Sequence, residues 1–158
     1  VRTYNKSHIQ PFEPLWSDEW HSLEHFQARL GIQRKEWGGD RSYFFLLLSR
    51  KNDNNLIGGI NINNVTRGSA QFASLGYWID KEHEGKGLMS EAMDATVSFC
   101  FEILKLERIN AATLKNNTRS QKLLERFQFK TEGTASEYLN INGTRQDHIL
   151  YGLNKSHP

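Results

Sequence analysis

The stretch "YWIDKEHEGKGLMSEAMD", residues 77–94, decides how the rest of the chain is read. Tyr77 to Ile79 has the aromatic and aliphatic character of a strand end. Gly85-Lys86-Gly87 follows, and a helical run opens at about Gly87. The loop misses two common phosphate templates. Gly87, followed by Leu88, stands where a Walker A loop needs Ser or Thr after its Gly-Lys, and Ser90 stands where a dinucleotide fingerprint needs its third glycine. What remains is strand, glycine loop and helix N-terminus. There the first N–H groups are unpaired and the helix dipole adds about half a positive charge. Glycine lets the backbone approach a diphosphate, and Lys86 adds a full charge. Glu84, Glu91 and Asp94 oppose an anion. By its own residues the stretch reads first as a turn or helix cap, and second as an anion cradle.

Working outward from it, Gln71 to Ile79 reads as a strand, preceded by a turn at Arg67-Gly68. Upstream, Tyr43 to Ser49 and Leu56 to Ile62 read as two more strands around a polar turn, Lys51 to Asn55. Asp18 to Leu30 places Trp20, Leu23, Phe26 and Leu30 at helical spacing, with Gly31 as its stop. Downstream, Met89, Met93, Thr96, Cys100 and Ile103 share one helical face, with Phe99 and Leu104 beside them. A short strand follows from Arg108 to Leu114, then a helix start at Asn116 to Ser120 with Leu123, Leu124 and Phe127 as its apolar face. The alternation from Thr134 to Tyr151 around Asn142-Gly143 is a hairpin signal. The order predicts a mixed α/β domain around one sheet.

Composition narrows the classes. At 158 residues, with no repeat or low-complexity linker, the chain is expected to form one domain, 1–158. A net charge of +2, evenly spread, argues against nucleic acid as the main partner. The longest apolar run, Tyr43 to Leu48, falls well short of the about 20 residues of a membrane span. The single cysteine, Cys100, excludes an internal disulfide and fits a reducing cytoplasm. The six histidines form no metal pattern: His21 and His25 are spaced i, i+4 without an acidic or cysteine companion.

Two further constellations carry chemistry. In "NNTRSQKLLERFQF", Asn116 to Phe129, Asn117 is placed to cap a helix through the N–H of Arg119 or Ser120. The Ser120 hydroxyl is then placed to meet a ligand lying over the preceding strand ends. In "SEYLNINGTRQDH", Ser136 to His148, Glu137 lies among aromatic and β-branched residues. On the wet face it is an ordinary strand glutamate; turned toward an apolar cleft, its pKa rises and it can serve as a base. The sequence leaves both faces open.

In this order the motifs resemble the GNAT superfamily of acetyl-CoA-dependent N-acetyltransferases. Within it they resemble the RimJ/RimL branch, which acetylates N-termini of ribosomal proteins. "PFEPLW", "NVTRGS" at 64–69 and "LGYWID" at 75–80 look most like the RimJ type, whose acceptors begin with alanine. The likeness runs over almost the whole chain and places the family's first strand before Val1. It implies a GNAT fold, acetyl-CoA as cosubstrate, no metal, a ribosomal-protein N-terminus as acceptor, and a monomer or homodimer in the cytoplasm. Tyr77, Trp78 and Ile79 would bind the pantetheine arm through their backbone, and a backbone N–H near Ile79 would serve the oxyanion. Glu84, Gly85, Lys86, Gly87, Leu88 and Met89 would form the pyrophosphate loop, although the family usually has Arg or Gln at Glu84 and Gly or Ala at Met89. Asn117 and Ser120 would face coenzyme A. Many members carry a tyrosine acid where Leu124 stands, so Ser120 would serve as the acid; Gln128 replaces a common glycine. Glu137 would be the base or amine-orienting group. An α-amine, with a pKa of about 8, needs only a mild base. Trp16, Trp37 and Tyr138 are candidates for the acceptor pocket. Two other readings keep the fold: acetylation of a small amine such as a polyamine, aminoglycoside or amino acid, and coenzyme A binding without turnover beside an assembling ribosome.

Overall fold

The computed structural model describes residues 1–50 and 54–156. Six strands form one mixed sheet in the order β1-β2-β3-β4-β6-β5. They are β1 (Tyr43–Ser49), β2 (Asn55–Thr66), β3 (Phe72–Ile79), β4 (Arg108–Leu114), β5 (Lys130–Ile141) and β6 (Thr144–Asn154). The first three make an antiparallel meander, as their alternation and turns predict. The turn expected at Lys51 to Asn55 falls mainly on residues 51–53, outside the described residues. β5 and β6 close on Asn142-Gly143, with positive φ angles of 48° and 86°. That is the geometry of a tight two-residue hairpin turn.

The parallel seam shapes the site. β3 pairs with β4 only from Phe72–Leu75 to Arg108–Ala111. Beyond Leu75 and Ala111 the two strands part, so the sheet carries a cleft between Gly76–Ile79 and Ala112–Leu114.

Among the described residues four α-helices accompany the sheet: α1 (Lys6–Ile9), α2 (Leu23–Gly38), α3 (Leu88–Ser98) and α4 (Thr118–Arg126). One face of the sheet (Ile60, Ile62, Leu75, Ile109, Ala111) packs with Met93 and Cys100 after the glycine loop and with Leu124 of α4. These side chains are almost fully removed from water, which is what holds α3 and α4 on that face.

Two expectations are corrected. Gly31 does not stop a helix: Asp18–His21 is a separate 3-10 turn, and α2 runs through Gly31 to its cap at Gly39. A glycine inside a helix costs only about 1 kcal/mol, and the Ser22 hydroxyl starts this one by accepting the His25 N–H at 3.1 Å. Ile103 does not join the buried face, for it is 67% exposed. Phe99–Ile103 forms a π turn, in which the Leu104 N–H reaches back to the Phe99 carbonyl. The extra residue per turn rotates the register, and Leu104 takes the buried place.

Candidate active site

A cavity of about 1000 Å³ runs along the opening between β3 and β4. Leu75, Tyr77 and Ala111 line it from the helix-packed face; Asn61, Gly76, Trp78 and Ala112 line it from the other. Paired residues in a ladder share a face, and Asn61 pairs with Gly76 while Ile60 pairs with Tyr77. The cavity thus passes through the sheet where its hydrogen bonding is interrupted.

On the helix side, the loop before α3 forms one end. Gly85 and Gly87 have φ of 69° and 79°, left-handed backbone that a Cβ makes unfavourable by about 1–2 kcal/mol. Gly87 is the N-cap of α3 and no side chain caps its first turn, which leaves N–H groups for an anion. Glu84, Gly85, Gly87, Leu88 and Met89 line the cavity. Lys86 is exposed and is not part of the lining. The cations at this end come from α4 instead: Arg119, Lys122 and Arg126, spaced to share one helix face. That spacing is in the sequence and was the signal missed there. Arg126 also ties α4 to α3 by donating to the Ser90 hydroxyl at 3.0 Å. The Glu84 carboxylate is engaged at both oxygens, with Arg119 at 2.6 Å and His8 at 2.9 Å.

Asn117 caps α4, its Oδ1 accepting the Ser120 N–H at 3.2 Å. This fixes Ser120 in the first turn with its hydroxyl 2.6 Å from the Tyr77 hydroxyl. Burial pushes the Tyr77 phenol up to about 12, although the Ser120 bond opposes the shift. Tyr77 is therefore a neutral O–H at physiological pH, and the two hydroxyls form a hydrogen-bonded pair on the cavity wall. The sequence marks Tyr77 only for its backbone; the pairing joins residues 43 apart in sequence and has no local signature. Leu124, where many relatives of the resemblance carry a tyrosine, is fully buried. Cys100 is buried as well, its thiol pushed up to about 12 by desolvation.

Glu137 lies elsewhere. It is exposed, with φ of 46°, in the bulge where the β5–β6 register shifts between Ala135 and Leu139. Its N–H donates to Asp147 Oδ1 at 3.0 Å, and its carbonyl accepts from Arg145 at 2.8 Å. It is not among the residues lining the cavity. The bulge, which no sequence period announces, sets it there.

The segment before α2 closes the cavity with His8, Ile9, Phe12 and Glu13, His8 meeting Glu84 of the glycine loop. Asn5 Oδ1 accepts the Lys81 N–H at 2.9 Å, and the Asn142 N–H at the hairpin tip donates to the Glu13 carbonyl at 2.9 Å. Arg2 lies 4.9 Å from the centroids of both Trp16 and Trp78. A Cβ at position 59 would meet the Trp78 indole nitrogen at 2.8 Å, so only glycine lets that ring lie across β2. Of the three aromatic candidates, Trp16 is buried in this cluster, whereas Trp37 and Tyr138 are more than 40% exposed. Among the described residues, no three His, Cys, Asp or Glu groups converge as a metal site, and no helix is long and apolar enough to cross a membrane.

Residues 2–130 match the family model described as an acetyltransferase (GNAT) domain. The chain is 38% identical over 150 residues to the [ribosomal protein uS5]-alanine N-acetyltransferase of Escherichia coli (strain K12), covering 94% of this chain and 76% of that protein. It is 32% identical over 153 residues to the probable N-acetyltransferase YjcK of Bacillus subtilis (strain 168), covering 97% and 84%. Mycobacterium smegmatis RimJ in complex with CoA-disulfide superposes with a TM-score of 0.90 at 28% identity, covering 97% of this chain and 73% of that one.

Proposed function

The chain belongs to the GNAT acetyltransferase family and is an acetyl-CoA-dependent N-acetyltransferase; we propose that its acceptor is the N-terminal α-amine, an alanine, of a ribosomal protein. The 38% identity to an enzyme named for that reaction carries the reading. A cavity open through the sheet supports it, because cosubstrate and acceptor need to meet from opposite sides.

In this reading the residues divide the work as follows. The N–H groups after Gly87, with Arg119 and Arg126, hold the diphosphate of acetyl-CoA. The backbone of Tyr77, Trp78 and Ile79, unpaired toward β4, holds the pantetheine arm as an added strand would. Acetyl-CoA supplies a thioester. A backbone N–H at the parted end of β3 donates to the oxygen that gains charge as the amine attacks. Ser120, paired with Tyr77, passes a proton to the leaving sulfur. Glu137 takes an outer place at the hairpin rim, orienting the acceptor chain.

An acetyl-transfer screen of alanine- and serine-starting peptides against free polyamines and aminoglycosides tests the acceptor. Transfer to the alanine peptides is expected. Transfer to small amines alone overturns it.

A further inference from the structure

The acceptor side of the cavity has a carboxylate of its own. Glu13 follows the 3-10 turn Gln10–Phe12 and lines the cavity, and its partner Arg2 lies over Trp78, on the sheet face away from α3 and α4. Its Oε2 accepts hydrogen bonds from Arg2 and from the Trp16 indole, the latter at 3.0 Å. The Asn142 bond to its carbonyl and the bond from its own N–H to the Gln10 carbonyl hold its backbone, while Oε1 has no partner among the described residues. Arg2 stacks on Trp78, the wall residue beside the parting of β3 and β4, which brings Glu13 to the mouth of the sheet opening. The other glutamate lining the cavity, Glu84, has both oxygens engaged.

We propose that Glu13 receives the acceptor's ammonium group: Oε1 accepts its hydrogen bond, sets its direction toward the thioester, and takes its first proton. This rests on the cavity being the acetyl-transfer site, whatever amine it serves. The balance is that of amide formation. The ammonium gives one proton to Glu13 and so to solvent, and the freed lone pair forms the C–N bond. The C–S bond breaks with its electrons on sulfur, and a second N–H proton, relayed through Ser120, ends on that sulfur.

Steady-state kinetics of the parent, Glu13→Gln, Glu13→Asp and Glu137→Gln over pH 6–10 test this, with an alanine-starting peptide and spermidine as acceptors. Glu13→Gln is expected to lower kcat/KM for the amine about 10²-fold at pH 7, with the KM for acetyl-CoA nearly unchanged. The deficit narrows above about pH 8, where the α-amine no longer needs a base. Glu13→Asp keeps the carboxylate and is expected to fall between, with the same pH dependence. A deficit equal at every pH marks a merely structural role and overturns the proposal. So does parent-like activity in Glu13→Gln, or a pH-dependent deficit found in Glu137→Gln instead. Should Glu13→Gln lose the thermal protection by acetyl-CoA that the parent shows, Glu13→Asp decides by the same pH criterion. A parent active on spermidine but not on the peptide fails the ribosomal-protein reading, and Glu13 is then judged on spermidine, whose alkylamines hold their protons like a Lys ammonium, so that the narrowing is expected only toward pH 10. A parent active on the peptide with an equal Glu13→Gln fails Glu13 alone.

Discussion

The two ends of the cavity are built in opposite ways. The end under α3 and α4 is built mainly of short local devices, a left-handed glycine cap, one Asn117 side chain and cations spaced along a single helix, with Arg119 and Arg126 tied across to Glu84 and Ser90. The end closed by His8 to Glu13 is made of long-range contacts, with Arg2 on Trp78, Asn5 on Lys81 and Asn142 on Glu13. Backbone and helix spacing suffice to bind a diphosphate, whose charge is the same in every turnover. An acceptor has to be told from other amines, and that takes side chains gathered from several segments.

This contrast can be broken most severely from beneath. Leu124 is fully buried under α4, and Leu124→Ala is expected to destabilise the fold by about 2–5 kcal/mol in chemical denaturation. Acetyl-CoA binding should fall with it, because the helix carries Ser120 and Arg119. Next, Ser120→Ala should lower kcat by about 10²-fold while the KM values for both substrates stay close to those of the parent. A parent-like kcat would remove the hydroxyl relay from the mechanism. Gly87→Ala is smaller, at about 1–2 kcal/mol of backbone strain. It should raise the acetyl-CoA dissociation constant in calorimetry and leave discrimination among acceptors untouched.

Alkaline titration probes the same wall. Tyr77 ionises near 12 in the fold but near 10 when unfolded. The folded state therefore holds the extra proton between those values, and stability falls as pH rises through that window. By pH 11 the loss from Tyr77 is on the order of 1 kcal/mol, and Tyr77→Phe should flatten the decline in thermal melts. Smallest of all, Glu84→Gln releases Arg119 and removes a negative charge from the loop. It should tighten acetyl-CoA about twofold, since exposed ion pairs are worth about 0–1 kcal/mol, and added salt should erase the gain.

The same contrast explains what the sequence made legible. Strand alternation, the Asn142-Gly143 turn, the Asn117 cap and the glycine loop are all read within a few residues, because local backbone chemistry dictates them. The π turn that exposes Ile103 inserts one residue into a regular period and the bulge that holds Glu137 inserts two, with Ser136, Glu137 and Tyr138 opposite Asp147 alone, and no period reveals either. Lys86 carries the charge that a sequence reader notices first, yet Arg119 and Arg126 face the cavity. The Tyr77–Ser120 pair and Glu13 needed the tertiary fold, for their partners come from other strands and loops.

The short seam between β3 and β4 has one further consequence. Four paired residues on each strand join the β1–β3 meander to the remainder of the sheet, and past them the edges of both strands are open. In the binding mode proposed above, a pantetheine arm lies there and acts as a keystone. Folding and cosubstrate supply are then coupled, with stability growing as the logarithm of acetyl-CoA concentration above its dissociation constant. A cell starved of acetyl groups would loosen this enzyme as well as idle it.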